Sequence, residues 1–216
     1  MTYRKLLLAI ILCVGASIGT GAQTLSREMS SAISACSKLS TAIGSESTPA
    51  LRAAGKALRA CKTTDFNSLR LASGKEAHLD GHYIFDEEFA DSLVVNRKVH
   101  RFAQRYAARR ANRGISPRPG QVMLTTKALN AGTRASWKVR GRAKGEFAVV
   151  AEPGGRLTMR ILDTKGRVLY SDVKDVKKGA PMRSAVVNLP ASSTTEVLIE
   201  VSNCGPKATS FAILCL

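Results

Sequence analysis

The hydrophobic period of this chain changes near residue 115, and that change constrains its fold more than any other feature. Beyond it, apolar and polar residues alternate in eight short runs: Gln121–Ala128, Arg134–Arg140, Glu146–Ala151, Arg156–Leu162, Arg167–Ser171, Met182–Leu189, Thr195–Ser202 and Thr209–Cys215. A period of two belongs to strands with one buried face. Turn-forming residues separate the runs, at Asn130-Ala131-Gly132, Pro153-Gly154-Gly155, Asp163-Thr164-Lys165-Gly166 and Cys204-Gly205-Pro206. Short strands at such regular spacing predict an antiparallel β-sandwich over 121–216.

Before the change the period is helical. Leu25, Met29, Ile33, Cys36, Leu39 and Ile43 are three or four residues apart and share one helical face. Ser47 or Thr48, followed by Pro49, opens a second helix carrying Leu51, Ala54, Leu58 and Cys61. Joined by Gly44-Ser45-Glu46-Ser47, the two form an αα-hairpin. Asp80-Gly81 inside Lys75–Phe85 predicts a β-hairpin. Asp86 then caps a long basic helix over roughly 87–112, which stops before Gly114. Pro117 and Pro119 make 115–120 a linker. The expected fold class is therefore α+β: an N-terminal helical region over 23–114, the linker, and the sandwich.

Residues 1–22 read as a signal peptide. Arg4 and Lys5 give the positive start, Leu6 to Val14 the apolar core, and Gly19-Thr20-Gly21-Ala22 a cleavage point before Gln23. The apolar stretch is shorter than the roughly 20 residues that span a bilayer, and no later stretch is long enough. An exported mature chain is expected, in the periplasm, at the cell surface or outside the cell. Four cysteines remain after cleavage: Cys36, Cys61, Cys204 and Cys215. An even number in an oxidising compartment predicts two disulfides, with three connectivities open. Clustering favours Cys36–Cys61 and Cys204–Cys215. If 195–203 and 209–215 form a simple hairpin, however, the late pair lies too far apart to bond.

Charge bears on partners. The chain has 33 Lys and Arg against 16 Asp and Glu, and loss of Arg4 and Lys5 with the leader lowers its net charge from +17 to +15. Such an excess favours anionic partners. Export shifts the expected anion from nucleic acid to a membrane surface or glycan, with another exported protein as the alternative partner. Aromatics at 5% exclude a large stacking platform. Candidate anion-binding residues lie on the long helix: Arg97, Lys98, Arg101, Arg105, Arg109, Arg110 and Arg113. Val95, Val99, Phe102 and Tyr106 form its apolar stripe. The plainer reading is that acidic residues early and basic residues late complement the helix dipole. Lys138, Arg140, Arg142 and Lys144 form a second basic group beside Trp137, which reads as core.

Catalytic signatures are missing. The mature chain has no Gly-x-Ser-x-Gly, no Cys-x-x-Cys and no phosphate-cradling loop, and Asp86-Glu87-Glu88 with Asp91 suit a helix start. His78 and His82, near Glu76 and Asp80, are the one histidine pair that could hold a metal. A hairpin at Asp80-Gly81 would set the two on opposite faces. No catalytic residue and no cofactor are assigned, and the alternative function is a metal-dependent enzyme or an accessory subunit of an exported hydrolase.

The run Leu157-Thr158-Met159-Arg160-Ile161-Leu162-Asp163-Thr164-Lys165-Gly166-Arg167-Val168-Leu169-Tyr170 reads as strand, Asp-x-x-Gly turn, strand. Val197-Leu198-Ile199-Glu200-Val201-Ser202-Asn203 follows it. Together they resemble the small jelly-roll β-sandwich modules at the C-termini of bacterial secreted peptidases, the pre-peptidase C-terminal type. The resemblance covers roughly 128–216. It implies a non-catalytic module that assists binding, secretion or localisation. The chain departs from the pattern of those modules at their calcium site, since Leu157, Thr158 and Arg160 stand where they often carry acidic residues.

Overall fold

The structure, a computed structural model, describes residues 24–61, 63–65, 69–79, 81–96, 120–141, 144–172, 179–189 and 195–216. Helix α1 (Arg27–Gly44) starts where Ser26 Oγ accepts the Met29 amide at 3.2 Å. Helix α2 (Thr48–Ala60) starts at Ser47, whose hydroxyl accepts the Ala50 amide, with Pro49 in the first turn. The two pack as the expected αα-hairpin and bury the predicted stripes, Met29, Ile33, Cys36, Leu39 and Ile43 against Leu51, Ala54 and Leu58.

Helix α3 (Glu87–Val95) opens at Asp86, which accepts the Glu88 amide at 2.7 Å. It packs on α2 so closely that a Cβ at Gly55 would sit 3.0 Å from Asp91 Oδ1. The long helix expected to run to 112 is not continuous: α3 ends at Val95, and Asn96 is extended at φ −144°. Two β-branched valines followed by Asn are poor helix formers, and Val95 is 89% exposed, so no packing offsets that weakness. Residues 97–119 lie outside the described residues.

The predicted hairpin over 75–85 is also corrected. The turn forms, with the His82 amide bonded to the Leu79 carbonyl and Gly81 at φ +79°. Its arms bond to the sandwich instead of to each other: the Ala77 amide donates to the Ala128 carbonyl and the Phe85 amide to Thr126 Oγ1. Ile84 and Phe85 are buried among the helices.

All eight predicted strands are present, and two more come from the N-terminal region. The strands are β1 (Thr64–Asp65), β2 (Arg70–Gly74), β3 (Met123–Leu129), β4 (Arg134–Gly141), β5 (Lys144–Ala151), β6 (Leu157–Asp163), β7 (Val168–Ser171), β8 (Met182–Asn188), β9 (Thr195–Asn203) and β10 (Thr209–Cys215). One sheet has the order β1-β3-β10-β5-β8 and the other β2-β4-β9-β6-β7. Apart from the short parallel β1–β3 pairing, neighbours are antiparallel. Without β1 and β2, the interleaving of β3-β10-β5-β8 with β4-β9-β6-β7 is a jelly roll. The fold is α+β, N-terminal helices followed by a β-sandwich. Contrary to a simple hairpin, β9 and β10 lie in different sheets.

Two cores result. Between the sheets lie Trp137, Val139, Phe147, Val149, Met159, Ile161, Ile199, Phe211 and Ile213. The other residues of the same inner strands, Ala148, Val150, Ala212 and Leu214, join the core of the three helices. The first sheet is thus covered on both faces, and β10 is buried at every position. The outer face of the second sheet has no helix on it among the described residues.

Candidate binding surface and the helix–sandwich seam

Alternation along β4 turns Ala135, Trp137 and Val139 into the core and Arg134, Ser136 and Lys138 outward. Register sets the outward residues in rows across the sheet. One row runs Arg70–Lys138–Leu198–Leu162 and the next Ser73–Ser136–Glu200–Arg160–Ser171. Arg134 opposes Ser202, which in turn opposes Thr158. Arg160 pairs with Glu200 at 3.1 Å, and the Ser73 and Ser136 hydroxyls are 2.8 Å apart.

Arg70, Arg134 and Lys138 are exposed and have no ion-pair partner among the described residues. Arg70 stands directly opposite Lys138, an arrangement of like charges that costs stability. Arg134 is four residues from Lys138 on the same strand, about 13 Å away. The result is a strip with cations at both ends and, between them, the exposed Ser73 bonded to the buried Ser136. Trp137, read from sequence as core, is fully buried, lies edge-on to Phe211 and donates Nε1–H to Glu76 at 2.6 Å. Of the basic group around Gly141, the structure places Lys138 on the open face. The side chains of Arg140, Arg142 and Lys144 lie outside the described residues.

A second cluster lies at the seam where the helices meet the first sheet. His82 Nδ1 is 3.0 Å from Glu152 Oε1, and Ser210 Oγ donates to Glu152 Oε2 at 2.7 Å. Both side chains are largely buried, at 17% and 12% exposure. The hydrogen bond to Glu152 raises the His82 pKa above 6.5 against the opposing effect of burial, and the carboxylate charge adds to the rise. Burial, then the charges of Glu152 and Glu46, raise the Tyr83 phenol. Ser210 thus donates its hydroxyl hydrogen bond to one carboxylate oxygen of Glu152 while the His82 imidazole takes the other.

The histidine pair is not brought together as a ligand set. His82 is engaged by Glu152, His78 is exposed, and no group of three or more His, Cys, Asp or Glu side chains suited to a metal ion occurs among the described residues. The candidate anion-binding residues Arg97, Lys98, Arg101, Arg105, Arg109, Arg110 and Arg113 all lie outside the described residues.

No disulfide is formed in the structure, where Cys36, Cys61, Cys204 and Cys215 are free thiols. For the late pair the reason is geometric: Cys204 precedes β10 and Cys215 ends it, which puts about 20 Å between their ends of the sheet. Cys36 and Cys61 belong instead to one core, Cys36 in α1 and Cys61 capping α2. Burial pushes the Cys36 thiol far up, with neighbouring Cys61 adding to the shift.

Glu146 was not singled out by the sequence, yet its carboxylate accepts both the Ser26 amide and the Ser26 hydroxyl, at 2.9 and 2.7 Å. It ties the start of α1 to β5. The one legible signal was a carboxylate in an otherwise apolar strand.

No family model and no curated protein matches the sequence. Among solved structures, the chain is similar to PliG of Aeromonas hydrophila, a periplasmic inhibitor of g-type lysozyme: 7% identity over 47% of this chain and 90% of that one, TM-score 0.32. It is also similar to the C-terminal carbohydrate-binding module of the laminarinase LamC from Zobellia galactanivorans, at 17% identity over 41% and 78% of the two chains, TM-score 0.25. A carbohydrate-binding module of Cellvibrio mixtus lichenase 5A matches at 14% identity over 46% and 88%, TM-score 0.23. Likeness at this level assigns no activity. No helix among the described residues is long and apolar enough to cross a membrane.

Proposed function

We propose that this chain is an exported, non-catalytic binding protein of the bacterial envelope whose open sheet takes an anionic partner. The observation that carries the reading is the asymmetry of the sandwich. Helices cover one sheet, while the other presents Arg70, Arg134 and Lys138 without counter-charges among the described residues. A role as an accessory module, like the pre-peptidase C-terminal modules its sandwich resembles, belongs to the same reading. The basic segment with Arg97, Lys98, Arg101, Arg105, Arg109, Arg110 and Arg113 adds a second contact of the same sign.

The leader sequence supports export, and Ser26, held by Glu146, lies four residues past its cleavage point. In an oxidising compartment Cys36 and Cys61 then close a disulfide. The two thiols give up two protons, and two electrons pass to a disulfide-exchange oxidant. The intact mass of mature, unreduced protein tests this, with a loss of about 2 Da and a single Cys36–Cys61 cross-linked peptide expected. Free thiols at both positions after export would contradict it.

Binding is tested with mature protein, a sulfated polysaccharide such as heparin, and vesicles containing phosphatidylglycerol. Joint charge reversal at Arg70, Arg134 and Lys138 should weaken binding at least tenfold, and added salt should act likewise. A separate reversal at Arg97, Arg101, Arg105 and Arg109 measures the second contact. Binding unchanged by both sets would overturn the reading.

A further inference from the structure

Four elements converge on Glu152. It lies in the turn after β5, next to Pro153, against which the end of α1 packs at Gly44. Ser40 of α1 donates its hydroxyl to the Ala151 carbonyl at 2.8 Å. The Glu152 amide donates to the Ser210 carbonyl of β10, while its carboxylate takes the Ser210 hydroxyl on one oxygen and His82 on the other. His82 is the second residue of the short segment 81–86, which buries Ile84 and Phe85 and leads through the Asp86 cap into α3. The His82–Glu152 contact thus joins α3's lead-in to the sandwich.

We propose that His82 and Glu152 form a proton-operated clasp that holds the α3 end of the helical layer on the sandwich. When His82 is protonated, an imidazolium meets a carboxylate in a largely buried seam. When it is neutral, Nδ1–H can still donate, but the charge attraction is lost and the carboxylate keeps only Ser210 and a neutral donor. Glu152 is the charge that acts on His82; beside it, Glu46 of the α1–α2 turn and Glu152 act on Tyr83, which stays neutral through this range.

The sign follows from the raised pKa of His82 in the folded state, caused first by its hydrogen bond to Glu152. The clasp's contribution is complete below 6.5 and is lost as pH rises through the folded value. The seam therefore tightens in mildly acidic surroundings and loosens in alkaline ones. The device is independent of the open sheet, so failure of one leaves the other standing.

NMR titration of His82, with amide hydrogen exchange over 81–95 between about pH 5.5 and 8.5, tests the clasp on the full mature chain. The His82 midpoint should lie above 6.5, and Glu152→Gln should bring it back down. Exchange corrected for its intrinsic pH dependence should accelerate across the titration by the ratio of the closed and open acidity constants. His82→Gln, which keeps a donor but cannot titrate, should flatten that dependence. A wild-type midpoint at or below 6.5, a midpoint unmoved in Glu152→Gln, or the same acceleration in His82→Gln would each overturn the proposal.

Discussion

Asn203 shows what a single side chain can hold in this molecule. It is 1% exposed, its Nδ2 donates to the carbonyls of Leu129, Asn130 and Lys207, and its Oδ1 accepts the Gly205 amide at 2.9 Å. It therefore fixes the turn after β3 and the connection from β9 to β10 at once. Asn203→Ala should destabilise the fold by about 3 kcal/mol, because several buried backbone groups lose their partner together. Urea unfolding measures this, and a loss below about 0.5 kcal/mol, the ordinary surface range, would show that water replaces the side chain. In the sequence Asn203 is merely a polar residue before Cys204-Gly205-Pro206, and a turn role is all that could be read. The same holds for His82: Asp80-Gly81 announced the turn, but its partner Glu152 lies seventy residues away along the chain. Local pattern carries no information about such long-range pairs.

At the scale of elements the period was a good guide where each strand has one buried face. β4 alternates in sequence, and its burial follows except at Ser136, which is 4% exposed although it lies on the outward side. Phe147-Ala148-Val149-Val150-Ala151 and Phe211-Ala212-Ile213-Leu214-Cys215 do not alternate, and these are the inner strands covered on both sides. Those continuous apolar runs were a legible signal that something would pack on the far face of one sheet. Strands β1 and β2 were not legible, since two and five residues inside a helical region give too short a pattern, and β2 is exposed throughout. The extended helix failed at Val94-Val95-Asn96, where propensity outweighs a stripe that continues on paper. Leu214 in β10 and Leu198 in β9 give a direct contrast between the two sheets. Leu214→Ala should cost about 2–5 kcal/mol, as for other buried leucines, because it opens space in the helical core. Leu198→Ala, on the open sheet, should cost well under half as much. Equal losses in thermal or urea unfolding would mean that the second sheet is as covered as the first.

For the whole molecule, the net charge of +17 says only that anions are attracted. The fold gives the charge a place. Among the described residues the helices cover one sheet only, and on the proposed function the exposed Arg70, Lys138 and Arg134 of the other sheet would meet the partner. The absence of aromatic side chains among the outward residues of its paired rows removes stacking as a source of affinity, so electrostatics must supply most of it. Binding should then be steeply salt-dependent and should require at least two anionic groups spaced along the strip. The most direct measurement is the affinity of the mature protein for heparin as a function of salt, wild type beside the Arg70→Glu, Arg134→Glu, Lys138→Glu variant. The account predicts wild-type binding that falls with salt and an affinity at least tenfold lower in the variant. Equal affinity and equal salt dependence in the two proteins would contradict it.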